Sequence, residues 1–364
     1  MAHFADIIDQ DHIVTHLQNA LRSDKLSHAY IISGDAHSGK RMIADIFAET
    51  ILCENRQEGG PLIEPCGECS SCNRAESMSH PDIRIIERDK KASLGVDVIR
   101  EKVCDDVYIK PYSDHKVYII PEGELMTVQA QNALLKTLEE PPAYTVIIIL
   151  TTNVDAFLPT IVSRCIVLPI KPVRDDLIET YLVQKRGIAD YRARLAVPFA
   201  RGNIGRAILL SENEDFEKQK NLALDLVARL DSISVGDIQK RLNDILIPSA
   251  DDASDEEGEE GQAKKKSSSK RPEAARIEDF LDVLTYLVRD MLVYKASGSP
   301  DNLIFADKLS YISSVTEKCS YKSLNDMLGA IDEAGSRIRS NVNTMLTLEM
   351  LMLKIKEAQN KENL

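Results

Sequence analysis

The chain of 364 residues contains no tryptophan and only seven phenylalanines, so it offers few flat rings on which unpaired nucleobases could stack. Positive charge is short as well: 45 Lys and Arg stand against 58 Asp and Glu, a net charge of -13. Neutralising a phosphate backbone takes a local surplus of cations, which excludes strong autonomous binding to nucleic acid and leaves local patches or contacts shared with partner chains. No stretch approaches the roughly eighteen consecutive apolar residues of a membrane span, and residues 146–150 have only the length of a buried strand. Met1-Ala2-His3-Phe4-Ala5-Asp6 lacks a basic stretch followed by an apolar one, so no export signal is expected and the expected compartment is the cytoplasm, away from membranes.

Hydrophobic residues make up 43% of the chain, and a chain this long exceeds one core, so two or three domains are expected. Seven cysteines without an export signal point to metal binding or reduced thiols rather than disulfides.

Residues 1–171 alternate helical and strand patterns, which predicts an α/β fold with a doubly wound sheet. Ile13, Leu17 and Leu21 recur at helical spacing, and apolar runs predict strands at 28–32, 83–86, 116–120, 145–151 and 165–170. Between the last three lie a segment at 127–139, closed by Pro141-Pro142, and another at 156–164. Residues 172–248 carry only helical patterning and are expected to form a separate domain. At 249–274 an acidic block from Asp251 to Glu260 precedes a basic one from Lys264 to Arg271, a composition expected to stay disordered, as a plain tether or a tail that recruits a partner. Residues 275–364 are helical again. The last helix, at 341–353, is apolar on more than one face, which fits either packing against other chains or a central place in its own bundle.

Several motifs carry chemistry. Gly34-Asp35-Ala36-His37-Ser38-Gly39-Lys40-Arg41 has the G-x-x-x-x-G-K spacing of a phosphate-cradling loop, set between a strand and a helix. Arg41 stands where a Ser or Thr hydroxyl would ligate Mg²⁺. The strand ending at Ile120 runs into Pro121-Glu122, where a working ATPase carries Asp-Glu. Lys40 and the loop amides could still hold a phosphate, but the lost ligands favour an empty or weakly occupied relic over a working ATP site. Glu122 and Glu124 read as a surviving water-activating carboxylate or, more simply, as solvated surface groups. Cys53, Cys66, Cys69 and Cys72, in an excursion rich in Gly and Pro, have the spacing of a closed tetrahedral site for structural Zn²⁺, with a redox pair or unligated thiols as the alternative. His80 is near enough in sequence to replace one cysteine, and Cys104, Cys165 and Cys319 read as packing residues. Arg164, in Ser163-Arg164-Cys165, is either a surface ion-pair partner or a guanidinium aimed at a neighbouring subunit's phosphates.

Taken together, these stretches resemble the delta-prime family of bacterial DNA polymerase III clamp-loader subunits, within the AAA+ proteins. The similar residues are Phe4-Ala5-Asp6-Ile7-Ile8 with Gln10, Leu26-Ser27-His28-Ala29-Tyr30, the glycine-lysine loop, the four cysteines, Ser79-His80-Pro81-Asp82, the run from Asn132 to Pro142, Ser163-Arg164-Cys165, and Gly202-Asn203-Ile204-Gly205-Arg206-Ala207. The resemblance implies a RecA-like P-loop domain over 1–171 with a zinc module at about 53–72. A small helical lid over 172–248, a charged linker over 249–274 and a helical collar over 275–364 would follow. It implies Arg164 as a trans arginine finger, Gly34, Gly39, Lys40 and Arg206 as a vestigial or weak nucleotide site, and Thr151, Thr152 and Asn153 at the first sensor. The implied partners are tau/gamma and delta subunits, with the sliding clamp and primer-template DNA reached through the assembled complex. Arg41 and Pro121 depart from the hydrolysing members, tau and gamma. Asp9, where many relatives have Gly, carries no functional reading. An active tau- or gamma-like ATPase and a zinc-bearing protein or DNA adaptor are the rival readings.

Overall fold

A computed structural model describes residues 2–88, 93–246 and 273–360. The charged stretch at 249–274 falls outside them except for its last two residues, which open a helix. The chain forms two compact units, one up to Ser211 and one from Glu212 onward.

In the first unit five strands make one parallel sheet: β1 (Ala29–Ser33), β2 (Ile83–Ile85), β3 (Lys116–Ile120), β4 (Thr145–Thr151) and β5 (Ile166–Pro169), in the order β2-β3-β4-β1-β5. Successive strand residues face opposite sides, and here both sides are covered. Tyr30, Ile32, Val117, Ile119, Ile148 and Leu150 pack against α1 (Asp11–Arg22) and α2 (Lys40–Leu52). A short helix, α3 (Ser70–Glu76), belongs to the cysteine-bearing excursion between α2 and β2. On the other face Ile31, Tyr118, Ile120, Ile147 and Ile149 meet α4 (Val96–Ile99), α5 (Val128–Glu139) and α6 (Pro159–Val162). Burial on both faces is why these strands read as unbroken apolar runs.

Sequence patterning did not single out α4, which continues through a π turn (Arg100–Asp105) and a 3₁₀ turn (Asp106–Tyr108). Ile99, Val103 and Val107 anchor it. Its end is fixed by Lys116, 2% exposed, whose ammonium meets the Asp106 carboxylate at 2.7 Å and donates to the Asp106 and Ile109 carbonyls.

After β5 the chain is tied back to the sheet's first helix. Gln10, buried, donates to the Lys171 carbonyl and accepts from the Lys171 amide at 2.8 and 2.9 Å. Asp9 adopts φ +57, the left-handed conformation that suits Gly, and its carboxylate accepts from the Arg174 amide at 3.1 Å. Three helices follow, α7 (Asp175–Gln184), α8 (Asp190–Ala200) and α9 (Ile204–Glu212), around Ile178, Leu182, Ala193, Val197 and Ala207.

The second unit contains α10 (Glu214–Ala228), α11 (Val235–Leu246), α12 (Glu273–Ser297), α13 (Leu309–Lys318), α14 (Tyr321–Arg339) and α15 (Thr344–Asn360). Gln219 on α10 donates to the Arg276 carbonyl on α12 at 2.6 Å. The stretch expected to form one helical domain at 172–248 is therefore divided: α7 to α9 belong to the unit that holds the sheet, and α10 and α11 pack with the C-terminal helices. Helix α15 borders α11, α13 and α14, burying Leu348, Leu351, Met352 and Ile355 and leaving Leu346 and Met350 exposed. Neighbours within the unit thus cover much of its apolar surface, though not the face that carries Leu346 and Met350. No helix among the described residues is long and apolar enough to cross a membrane.

Candidate functional site

The glycine-lysine loop leaves the C-terminal end of β1 and enters α2 at Lys40, the strand-loop-helix setting that aims backbone amides at an anion. Gly39 has φ +91, which a residue with a side chain rarely adopts. The loop's interior is filled by its own groups. Lys40 Nζ donates to the carbonyls of Gly34 and Asp35, each at 2.6 Å. Burial lowers its pKa, against the opposing fields of Glu124 and Asp35.

From outside, the start of α9 closes over the loop. Asn203 Nδ2 donates to the Ala36 carbonyl at 2.7 Å, while its Oδ1 accepts from the Arg206 amide at 3.0 Å. Gly205 lies so close that a Cβ there would collide with the His37 carbonyl. The cavity left between loop and helix, lined by Gly34, Ser38, Ile170, Gly202 and Asn203, holds about 130 Å³, below the roughly 300 Å³ at which small-molecule sites begin. Gly34, Gly39 and Lys40 are thus brought together, and Arg206 sits in the first turn of the helix that touches them.

The positions at which the sequence pattern would place magnesium ligands carry other groups. Arg41 donates through Nε to both Asp45 oxygens, at 2.7 and 2.9 Å, along α2. Pro121 follows β3 without a charge, and Glu122 pairs with Arg88 at 2.9 Å. Glu124 points inward. Its Oε1 accepts from Thr152 Oγ1 at 2.7 Å, and its Oε2 is buried without a partner among the described residues. Burial raises the Glu124 carboxyl, yet hydrogen bonds led by Thr152 hold it below the usual range. Of the two glutamates, Glu124 is the one whose field reaches Lys40. Thr151 is fixed by exchange with Asn153, donating to its carbonyl and accepting from its amide.

Arg164 lies just past α6. Its NH1 donates to the Thr160 carbonyl at 2.9 Å and its NH2 to Glu139 Oε1 at 2.8 Å. Glu139 ends α5, and the Arg164 side chain remains 35% exposed. The guanidinium is therefore at the surface, oriented by a carboxylate and a carbonyl, with further donors to offer.

The four cysteines converge. The sulfurs of Cys53, Cys66, Cys69 and Cys72 all lie within 4.8 Å of one another, with Cys53–Cys69 at 4.0 Å and Cys66–Cys72 at 3.9 Å. Four Zn–S bonds of about 2.3 Å span a tetrahedron with edges near 3.8 Å, whereas a disulfide needs about 2.05 Å. Backbone amides point at the thiols: Cys66 to Cys53 Sγ at 3.3 Å, Cys69 to Cys66 Sγ and Cys72 to Cys69 Sγ at 3.4 Å each. The amides of Glu68 and Cys69 bring the Cys66 thiol down to about 7, while burial raises those of Cys53 and Cys72. A divalent ion would offset that burial by favouring the thiolates, so the residues fit a structural metal.

His80 does not join them. Its Nδ1 accepts from the Asp82 amide at 3.1 Å, so its Nε2 carries the proton and donates to Ser71 Oγ at 2.9 Å. Asp82, buried, accepts from the amides of Tyr112 and Ser113. The Ser79-His80-Pro81-Asp82 motif is thus architectural, fastening the cysteine excursion and the β3 approach to β2. Sequence spacing hides this because Asp82 and its partners lie far apart along the chain. Burial raises the thiols of Cys104, Cys165 and Cys319, as expected of packing residues.

A family profile described as DNA polymerase III, delta subunit, matches residues 9–174, and one described as DNA polymerase III, delta subunit, C terminal, matches residues 270–357. The chain is 29% identical over 350 residues to the DNA polymerase III subunit delta' of Bacillus subtilis (strain 168), covering 96% of each. It is also 29% identical over 364 residues to the DNA polymerase III subunit tau of the same organism, covering 97% of this chain but 61% of that one. A solved structure of a DNA polymerase III gamma subunit-related protein from Thermotoga maritima superposes with 17% identity and a TM-score of 0.41, covering 94% of this chain and 99% of the other.

Proposed function

Because the chain belongs to the DNA polymerase III clamp-loader family, we propose that it is a delta-prime subunit that does not hydrolyse ATP. It would assemble with tau/gamma and delta subunits and help place the sliding clamp on primer-template DNA during replication. The observation that carries this reading is the state of the magnesium positions: Arg41 is bound to Asp45, Pro121 offers no charge, and Glu122 faces Arg88. Lys40, which would neutralise the phosphates, is satisfied by loop carbonyls, and the sheet and its first nine helices would serve as a rigid body. In this reading α7 to α9 are the lid and α10 to α15 the collar.

The positive contribution to chemistry is Arg164. An exposed guanidinium held on one side by Glu139 can present its remaining donors to charge on a phosphoryl group bound by an adjacent subunit. Cys53, Cys66, Cys69 and Cys72 would hold Zn²⁺, which supplies a crosslink between the end of α2 and α3 and takes no part in turnover.

Two measurements test the reading. The isolated full chain, incubated with ATP and Mg²⁺, should release no phosphate above a protein-free blank; sustained turnover would place it with the active ATPases instead. In a loader reconstituted with tau/gamma and delta, Arg164→Ala should leave assembly unchanged while hydrolysis at the one site it faces falls by on the order of 10³. The steady-state rate then drops by that site's share, and an unchanged rate refutes the arginine assignment.

A further inference from the structure

A cleft at the edge of the sheet plays no part in the proposed clamp-loader chemistry. It lies among β2, α2 and α3, with a volume of about 420 Å³, inside the ~300–1,000 Å³ range of ligand sites. Strand β2 is the edge of the sheet. Ile83 and Ile85, on one face of that strand, form part of the floor with Ile46, and Met42 and Met78 flank it, 37% and 79% exposed. Such methionines are soft and unbranched, able to conform to aliphatic groups of varied shape.

Carboxylates outnumber cations around the cleft. Asp45, Glu49 and Glu76 line it against Arg41, whose Nε is already held by Asp45 at 2.7 Å. His80 also lines it, but burial lowers its pKa and both ring nitrogens are bonded. No hydrogen bond or ion pair to half-buried Glu49 occurs among the described residues. Burial, and then the field of Asp45, push its carboxyl up to about 7 against the pull of the chain's N-terminal ammonium, so the carboxylates here exceed what the nearby cations offset.

We propose that this cleft docks an extended segment of a partner chain that carries one lysine or arginine between aliphatic side chains. An edge strand accepts an extended backbone alongside it, the isoleucines and methionines receive the aliphatic flanks, and the carboxylates select the cation. The docking is independent of nucleotide and of Arg164.

The test uses the full chain labelled with ¹³C at the methionine methyls, with Met42 and Met78 assigned by Met→Leu substitution, and the probe acetyl-Ser-Ile-Lys-Ile-Ser-amide. Titration should shift the Met42 and Met78 methyls to saturation and leave the α15 methyls in place. A peptide with norleucine for lysine should bind more weakly, by up to about fivefold, the upper end for a partly exposed ion pair. Glu49→Gln should weaken the lysine peptide by a similar factor without changing the norleucine peptide. Glu76→Gln serves as a second variant should Glu49→Gln disturb the remaining methyls. Equal binding of both peptides, or no shift at millimolar peptide, overturns the proposal. So does saturation by n-butylamine alone at the same affinity, which would make this a small-amine site, or the same shifts appearing on self-association without peptide.

Discussion

Replacing Asn203 isolates the contact that seals the phosphate loop. The side chain does two things: Oδ1 caps α9 through the Arg206 amide, and Nδ2 ties the Ala36 carbonyl to that helix. Losing an N-cap costs about 1 kcal/mol and losing a neutral hydrogen bond about 1 kcal/mol. Asn203→Ala should therefore make local opening of loop from helix about 2 kcal/mol easier, close to 30-fold. Two amides report it by hydrogen exchange: Ser38, bonded to the Asp35 carbonyl at 3.2 Å, and Ala207, bonded to the Asn203 carbonyl at 2.9 Å. Both should accelerate together. Asn203→Ser keeps a capping oxygen but cannot reach Ala36, so it should retain the cap and accelerate the pair only about fivefold. If Asn203→Ala left Ser38 exchange unchanged, or if the two variants matched, the seal would not be what holds the loop.

Metal analysis of the chain purified without chelator should give one zinc per chain, and Cys72→Ser should abolish it while Cys104→Ser leaves it intact. A chain that retained full metal after Cys72→Ser would remove the four-cysteine assignment. The raised Glu49 carboxyl makes a pH prediction. A carboxyl whose folded pKa lies above its ordinary value binds more protons when folded, so its contribution to stability is complete below 4.5 and is lost as pH rises to about 7. Glu49→Gln should accordingly raise the melting temperature at pH 8 and change it little at pH 4. A stabilisation that did not depend on pH would assign the effect to packing.

Much of the first unit was legible because its physics is local or periodic. Strands buried on both faces are short apolar runs in any parallel sheet, and the cysteine spacing forces the chain to turn back on itself whatever surrounds it. Other features had no local signature. Asp82 meets Tyr112 and Ser113, Gln10 meets Lys171, and Asn203 meets Ala36, contacts between residues that periodicity cannot connect. The division after Ser211 is of the same kind. Residues 172–248 carry only helical patterning in the sequence, and the α10 partner, Arg276, lies beyond the charged stretch. Helix α4 was the nearest miss: Ile99, Val103 and Val107 recur every four residues, but its π and 3₁₀ turns alter the period.

The glycine-lysine signature is one that packing within this chain can account for by itself. A phosphate demands glycines so that backbone can approach it closely, and backbone packing within this chain makes the same demand. A Cβ on Gly34 would press on Ser38 Oγ at 2.9 Å and on Ile170 at 3.0 Å, one on Gly205 would strike His37, and Gly39 holds φ +91. Lys40 likewise gains two carbonyl acceptors in place of phosphate oxygens. Each residue is therefore constrained by the closed loop itself, with no nucleotide needed to explain it. The positions whose only task would be to hold a metal ion have no such second role. A side chain at 41 lies on the face of α2 where it can pair with Asp45, and residue 121 caps a strand that tolerates proline at its end. On the proposed non-hydrolysing reading, Arg41 and Pro121 could stand beside an intact loop because packing asks for the glycines and Lys40 but not for a metal ligand at either position.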